Sequence, residues 1–198
     1  MKILLLGKNG QLGWELQRSL APLGKLITLD RLSQQTISLL CGDLTDLDGL
    51  RQTITSLKPD VIVNAAAYTA VDKAENEPEL AQLVNAQAPK LLAEEAKRID
   101  ALLVHYSTDY VFNGEGKAPW HETDEPDPVN QYGQSKLDGE QAIQASGCKH
   151  LIFRTSWVYS NRGSNFAKKM LRLASERQSL SIIDDQVGAP TGAALLAD

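Results

Sequence analysis

Residues 1 to 20 constrain the fold more than any other stretch. Lys2-Ile3-Leu4-Leu5-Leu6 is a short run, apolar from Ile3 onwards, with the composition of a strand buried on both faces. Gly7-Lys8-Asn9-Gly10-Gln11-Leu12-Gly13 follows. A helix is then expected from Gln11 to Leu20, with Trp14, Leu16 and Leu20 as its apolar face. Strand, glycine turn and helix in that order form the context of a dinucleotide fingerprint. Gly7 permits the tight turn, Gly10 lets the backbone approach a pyrophosphate, and Gly13 permits close packing of helix on strand. The helix N-terminus favours the anion. The spacing is G-x-x-G-x-x-G, not G-x-G-x-x-G.

The alternation continues. Lys25 to Leu29 reads as a second strand ending at Asp30-Arg31, and Ser38 to Cys41 as a third, followed by Gly42-Asp43-Leu44. An acid after the second strand binds ribose hydroxyls and an arginine holds a 2′-phosphate, so Asp30 with Arg31 leaves NADH and NADPH both open. Leu47 to Leu57 is a helix that stops before Pro59. Asp60 to Ala67 is an apolar strand running into Ala65, Ala66 and Ala67, where small side chains let a cofactor lie against the backbone. Tyr68 to Asn76 is expected as an irregular loop over the site, and Pro78 to Ile99 as one long helix. Leu102 to Phe112 is the next strand and its exit, with Thr108 at its carboxyl end. Lys149 to Arg154 is another strand, Gly163 to Arg177 a helix and Ser179 to Ile183 a short strand. Thr191 to Asp198 reads as the start of a helix still running at the last residue. This pattern predicts an α/β fold, a doubly wound, mostly parallel, Rossmann-like sheet. Residues 1–155 are expected to form the dinucleotide-binding domain. Residues 156–198 are expected to continue it and begin a substrate-binding part that is truncated at the C-terminus.

Bulk properties narrow the class. A net charge of -5 and a pI near 5.3 argue against a general nucleic-acid or anionic-membrane binder. No run approaches the roughly 18 apolar residues of a membrane span. Cys41 and Cys148 stand far apart and are expected as free buried thiols in a reducing cytoplasm. His105, His121 and His150 have no metal-ligand spacing, and His105, inside an apolar run, reads as a core residue.

The chemistry is expected at Tyr132-Gly133-Gln134-Ser135-Lys136, on a helix starting near Gln131 with Asn130 as its cap. At i and i+4 the phenol and the ammonium share a face. Unit charges ~4 Å apart interact by about 4 kcal/mol at an effective dielectric of ~20. On that basis Lys136 is expected to bring the phenol from roughly 10 towards 7. A phenol so tuned exchanges a proton with a carbonyl or alcohol at neutral pH.

Together, the glycine turn, Asn64-Ala65-Ala66-Ala67, Ser107-Thr108-Asp109 and Tyr132 with Lys136 resemble the extended short-chain dehydrogenase/reductase family. Asp72-Lys73-Ala74-Glu75, Ser107 to Phe112, Arg154-Thr155-Ser156-Trp157 and Asp185 to Thr191 make the dTDP-4-dehydrorhamnose reductases the branch it resembles most. That resemblance implies a cytoplasmic, homodimeric oxidoreductase that reduces the 4-keto group of dTDP-4-dehydro-L-rhamnose with NADPH or NADH, giving dTDP-L-rhamnose for bacterial surface polysaccharide. It makes Tyr132 the general acid and Lys136 the group that lowers its pKa while binding the nicotinamide ribose, and has Thr108 polarise the carbonyl. Gly10, Gln11, Leu12, Asp30, Asp43, Leu44, Ala67, Tyr68, Thr69 and Tyr106 fall where the family contacts the dinucleotide. Asp109 and Trp157 fall where it holds the sugar, with Thr69, Val71 and Tyr110 nearby. Dehydratases of the same family usually carry Thr-Asp-Glu where this chain has Thr108-Asp109-Tyr110. The resemblance also admits another NAD(P)-dependent nucleotide-sugar reductase or epimerase, or a non-catalytic regulatory subunit such as that of methionine adenosyltransferase. Some members hold Mg²⁺ through a first-helix glutamate and a second in a Thr-Gly-Ala-Glu stretch. Glu15 matches the first, but Thr191-Gly192-Ala193 is followed by Ala194.

Overall fold

The apolar runs pair side by side in the computed structural model, which describes residues 1–32 and 40–198. β1 (Lys2–Leu6) lies between β2 (Lys25–Leu29) and β3 (Val61–Asn64). β4 (Leu102–Thr108) and β5 (Lys149–Thr155) extend the sheet, giving the order β2-β1-β3-β4-β5 with every pair parallel. Alternate side chains leave a strand on opposite faces, and both faces of the central strands β1 and β3 are covered, whereas Leu151 and Phe153 of β5 are exposed. Leu4, Leu6, Ile62 and Leu103 pack with Leu50 and Ile54 of α2 (Leu47–Leu57), Leu92 of α5 (Ala88–Arg98) and Ile143 of α6 (Gln131–Ser146). Ile3, Leu5 and Val63 pack on the other side with Leu16 of α1 (Gln11–Leu20). Two-sided burial is why these strands show no polar alternation.

The strand order reverses between β1 and β3, which leaves a crevice at the carboxyl ends of the strands. Gly7 turns the chain there at φ +86°, and a side chain on it would strike Ala66 N at 2.8 Å and Ala65 C at 2.9 Å. A Cβ on Gly13 would lie 2.0 Å from the Gly7 carbonyl oxygen, so α1 can sit on β1 only with glycine there. β3 ends at Asn64, opposite His105, whereas β4 continues through Tyr106, Ser107 and Thr108 against β5. The last residues of β4 therefore overhang the crevice.

Several expectations are corrected. The strand expected from Asp60 to Ala67 stops at Asn64, because β1 turns away at Gly7 and leaves residues 65–67 without that ladder partner. The loop of Tyr68 to Asn76 contains a helical turn, α3 (Val71–Ala74). The helix of Pro78 to Ile99 is interrupted: α4 (Pro78–Gln82) runs into a π turn at Leu83–Gln87, where the Ala88 N–H reaches back to the Leu83 carbonyl, and then into α5. Pro89 has no N–H to give the Asn85 carbonyl, so a regular ladder cannot pass this point. Trp14 is not on the buried face. It lies two residues, about 200°, from Leu16 and is exposed, with the Arg162 guanidinium 3.7 Å above its ring. The strand expected at Ser179–Ile183 does not form, and those residues have no ladder partner among the described residues. The last helix is preceded by β7 (Thr191–Gly192), which pairs with β6 (Val158–Tyr159), and is confined to α8 (Ala193–Ala197). α7 (Phe166–Glu176) starts after its Asn165 cap rather than at Gly163. The expected strand Ser38–Cys41 falls largely outside the described residues; Leu40 and Cys41 are irregular. Cys41 and Cys148 are free and buried.

Candidate active site

An open cleft of about 1240 Å³ runs along the carboxyl ends of the strands. Roughly 300–1,000 Å³ suits one drug-sized ligand, so this cleft has room for a dinucleotide and part of a second ligand. Every site residue singled out in the sequence lines it except Gly13, which lies beneath the turn. At the glycine end, the Gly10 N–H is tied to the Gly7 carbonyl at 3.0 Å and Gly10 precedes α1. A Cβ at Gly10 would have only Gly7 O, at 3.4 Å, for a neighbour, so the turn presents bare backbone to the cleft. Asp30, at the end of β2, accepts from Asn9 Nδ2 and from the Leu32 N–H, and Arg31 beside it is exposed. This bare turn at a helix N-terminus, with Asp30 and Arg31 to one side, fits a nicotinamide dinucleotide.

At the other end stands Tyr132, in the first turn of α6, whose N-cap Asn130 accepts from the Gly133 N–H at 2.8 Å. Its ring packs edge-on against Tyr110, with centroids 5.6 Å apart. Burial pushes the phenol up to about 12; a hydrogen bond with Thr108 opposes the rise, while Asp109 and Tyr110 add to it. The Thr108 hydroxyl donates to Asp109 Oδ1 at 3.2 Å and accepts the Tyr110 N–H at 3.2 Å. Asp109 is held in turn by Ser156 Oγ at 2.6 Å. The two long bonds of Thr108 leave its hydroxyl free to turn towards a ligand oxygen.

Lys136 departs from expectation. It shares a helix with Tyr132, yet its Nζ is directed into the sheet, donating to the Tyr106 carbonyl at 2.7 Å and lying 3.3 Å from His105 Nε2. Lys136 is therefore not among the groups that set the Tyr132 phenol, which goes up rather than towards 7. The physical reason is desolvation, which here outweighs the one-turn proximity. The same burial brings Lys136 itself down to about 8, opposed by Glu140 one turn further along α6. Glu140 is buried and paired with Arg154 of β5 at 2.7 Å.

Three polar residues at the site escaped the sequence reading. His105 is a core residue, as expected, but its bridge between Asn64 and Lys136 was not. Asn85, in the π turn, holds both ends of the Tyr68 peptide: its Oδ1 accepts the Tyr68 N–H at 2.9 Å and its Nδ2 donates to Tyr68 O at 3.0 Å. The same Nδ2 reaches Ser135 Oγ on α6 at 3.0 Å, so one amide fixes the Tyr68 loop to the helix of Tyr132. Glu140 is the third. The available signal was a polar residue interrupting an otherwise apolar face, such as His105 after Leu103 on alternate positions of β4. Gln11 lines the cleft, but its side chain is turned away from the turn to Asn165 Nδ2 at 2.9 Å and Val158 O at 3.4 Å. Trp157 has φ +47° and packs edge-on against Phe166.

A Mg²⁺ site does not fit the residues present. Glu15 has the Arg18 guanidinium 3.9 Å from its carboxylate, and Ala194, on the helix packed against α1, offers no side-chain oxygen. Among the described residues no group of three or more His, Cys, Asp or Glu is placed to hold a metal. A hard cation requires several oxygen ligands. EDTA is accordingly expected to leave sedimentation and turnover unchanged; a metal-dependent shift in sedimentation would show that other residues supply ligands.

The described residues thus define a Rossmann-like α/β chain with a Thr/Tyr/Lys constellation at its switch-point crevice. The family model described as RmlD substrate binding domain matches residues 1–198, and the chain belongs to that family. It is 62% identical over 198 residues to the dTDP-4-dehydrorhamnose reductase of Salmonella typhimurium, covering 100% of this chain and 65% of that protein. The chain therefore spans about two thirds of the length of the curated relatives it matches. The crystal structure of a dTDP-4-dehydrorhamnose reductase from Clostridium acetobutylicum superposes with a TM-score of 0.90 at 42% identity, covering 100% of this chain and 68% of that one. A Bacillus anthracis dTDP-4-dehydrorhamnose reductase, solved in complex with NADP, superposes with a TM-score of 0.89 at 39% identity, covering 99% and 67%. Among the described residues no helix is long and apolar enough to cross a membrane.

Proposed function

We propose that the chain carries the reductive site of an NAD(P)H-dependent oxidoreductase that converts dTDP-4-dehydro-L-rhamnose to dTDP-L-rhamnose for surface polysaccharide. The observation that carries this is that one cleft joins the bare glycine turn to a buried Tyr132, held protonated by that burial, with Thr108 in the same lining. The similarity to named dTDP-4-dehydrorhamnose reductases supports the choice of substrate. The turn of Gly7 to Gly13, with Asp30 and Arg31 to one side, would hold NAD(P)H, which would supply the hydride. Thr108 turns its hydroxyl to the ketone oxygen. Tyr132 holds a proton at neutral pH and gives it to that oxygen as negative charge develops there. Lys136, which lines the same cleft, supplies positive charge to it when protonated. Asp109, fixed by Ser156, and Trp157 line the sugar side. The enzyme acts in the cytoplasm as a homodimer.

The full-length gene product, given dTDP-4-dehydro-L-rhamnose, should oxidise NADPH or NADH and release the 4-hydroxy sugar. No consumption with that substrate, alongside turnover of another nucleotide-sugar ketone, would reassign the substrate. Asp30→Ala should weaken NADH more than NADPH, because a carboxylate favours a free 2′-hydroxyl and Arg31 a phosphate. Equal losses in a coenzyme titration would remove Asp30 from that role.

A further inference from the structure

His105 is enclosed between β3 and α6, and its two ring nitrogens face different partners. Nδ1 lies 3.1 Å from Asn64 Nδ2, and Nε2 lies 3.3 Å from Lys136 Nζ. The neighbours decide which nitrogen carries the hydrogen. The Ala66 N–H can only donate, and it donates to Asn64 Oδ1 at 3.2 Å, which turns the amide NH₂ towards His105. Nδ1 must then accept, and a neutral imidazole that accepts at Nδ1 carries its hydrogen on Nε2. The ring is neutral because burial, and then the Lys136 charge, hold it well below the ordinary histidine range. Its Nε2–H therefore points at Lys136. An ammonium has no lone pair to receive that hydrogen. A neutral amine has one, and still donates to the Tyr106 carbonyl 2.7 Å away.

We propose that His105 is a positioning residue: locked as its Nε2–H tautomer by Asn64, it presents a donor to Lys136 and biases that lysine towards the uncharged amine. The inference rests on the reading of Lys136 as part of the reductive site. The other groups around Lys136 are Tyr132 and Glu140 on its own helix, Arg154 of β5 through its pair with Glu140, and Asp109 beyond β4 beside Tyr132. Of these, Glu140 favours the charged lysine, whereas burial and the His105 donor oppose it. Burial opposed by Glu140 brings Lys136 to about 8, close enough to neutral pH that a change in one partner alters its state.

Two measurements test this on the full-length protein. His105→Gln replaces the N–H with an amide whose oxygen can face Nζ. The alkaline limb of its kcat profile should then lie about one pH unit above that of the wild type, the scale of one hydrogen bond to a charged group. A packing role alone would lower kcat without moving that limb, and an unmoved limb overturns the proposal. NMR of wild-type protein with ¹⁵N-labelled imidazoles reads the tautomer directly and needs no substrate. His105 should show hydrogen on Nε2; hydrogen on Nδ1 overturns the proposal even if the variant does not fold. Failure to reduce the sugar nucleotide would sink the functional reading while leaving the NMR result intact.

Discussion

Tyr132→Phe should lower kcat by at least about 10²-fold while leaving coenzyme affinity nearly unchanged, because only the proton donor is removed. The ring keeps its packing: its neighbours are Ala74, Ala81 and the edge-on Tyr110, none of which needs the hydroxyl. What is lost is the O–H in the cleft that Thr108 also lines. The structure also assigns the pH dependence. A phenol pushed up to about 12 stays protonated throughout the working range, so a fall in turnover above about 8 belongs to Lys136, not to Tyr132. Near-normal turnover by the phenylalanine variant in the full-length protein would remove Tyr132 as the acid and the mechanism with it.

Glu140→Gln should damage stability and activity together. The Glu140 side chain is 2% exposed and that of Arg154 22%, with the carboxylate taking three contacts of 2.7 to 3.1 Å from the guanidinium. Breaking a buried pair costs about 3–5 kcal/mol, and the partial exposure of Arg154 puts this one near the lower end. Lys136 loses its attractive charge in the same step, so its alkaline limb should move down in pH. Arg154→Met is the informative contrast, since it leaves Glu140 beside Lys136 and should cost stability without that acid shift. Denaturant midpoints and the kcat profile read the two effects separately. Unchanged values of both in Glu140→Gln would refute the assignment. Linkage gives a companion result for the wild type. Stability should rise as the pH goes from about 8 to about 10, where an unfolded lysine holds its proton and the buried one does not. Above 10 the trend should reverse, as unfolded tyrosine ionises while Tyr132, at about 12, does not.

What was legible in the chain follows from how local each signal is. The apolar run of β1, the Gly7 turn, the helix between Asp46 and Pro59 and the Asn130 cap each depend on neighbouring residues, and all appear where the sequence puts them. Long-range features were not legible. Ser179–Ile183 is strand-like in composition, but a strand needs an edge to pair with. Lys136 was read from its spacing to Tyr132, yet its direction is set by the Tyr106 carbonyl and His105 on another element. The desolvation that raises Tyr132 is likewise a property of the packed state. Even a local signal can be outweighed: Pro89 breaks the ladder inside a run of helix formers whose composition predicts one continuous helix.

That break has a consequence for how the protein can vary. A π turn holds one residue more than the helical turn it replaces, and each residue advances a helix by about 100°. Residues 83–87 therefore act as a phase shifter between the segment carrying Ala81 and the one carrying Leu91 and Leu92. Deleting one residue there would relieve the ladder and swing every preceding side chain out of register, taking Asn85 away from Tyr68 and Ser135. What is under constraint in this segment is length before identity. Substitutions between Pro78 and Pro89 can be absorbed one contact at a time, whereas an insertion or deletion between them unseats the loop beside the phenol and the helix that bears it together.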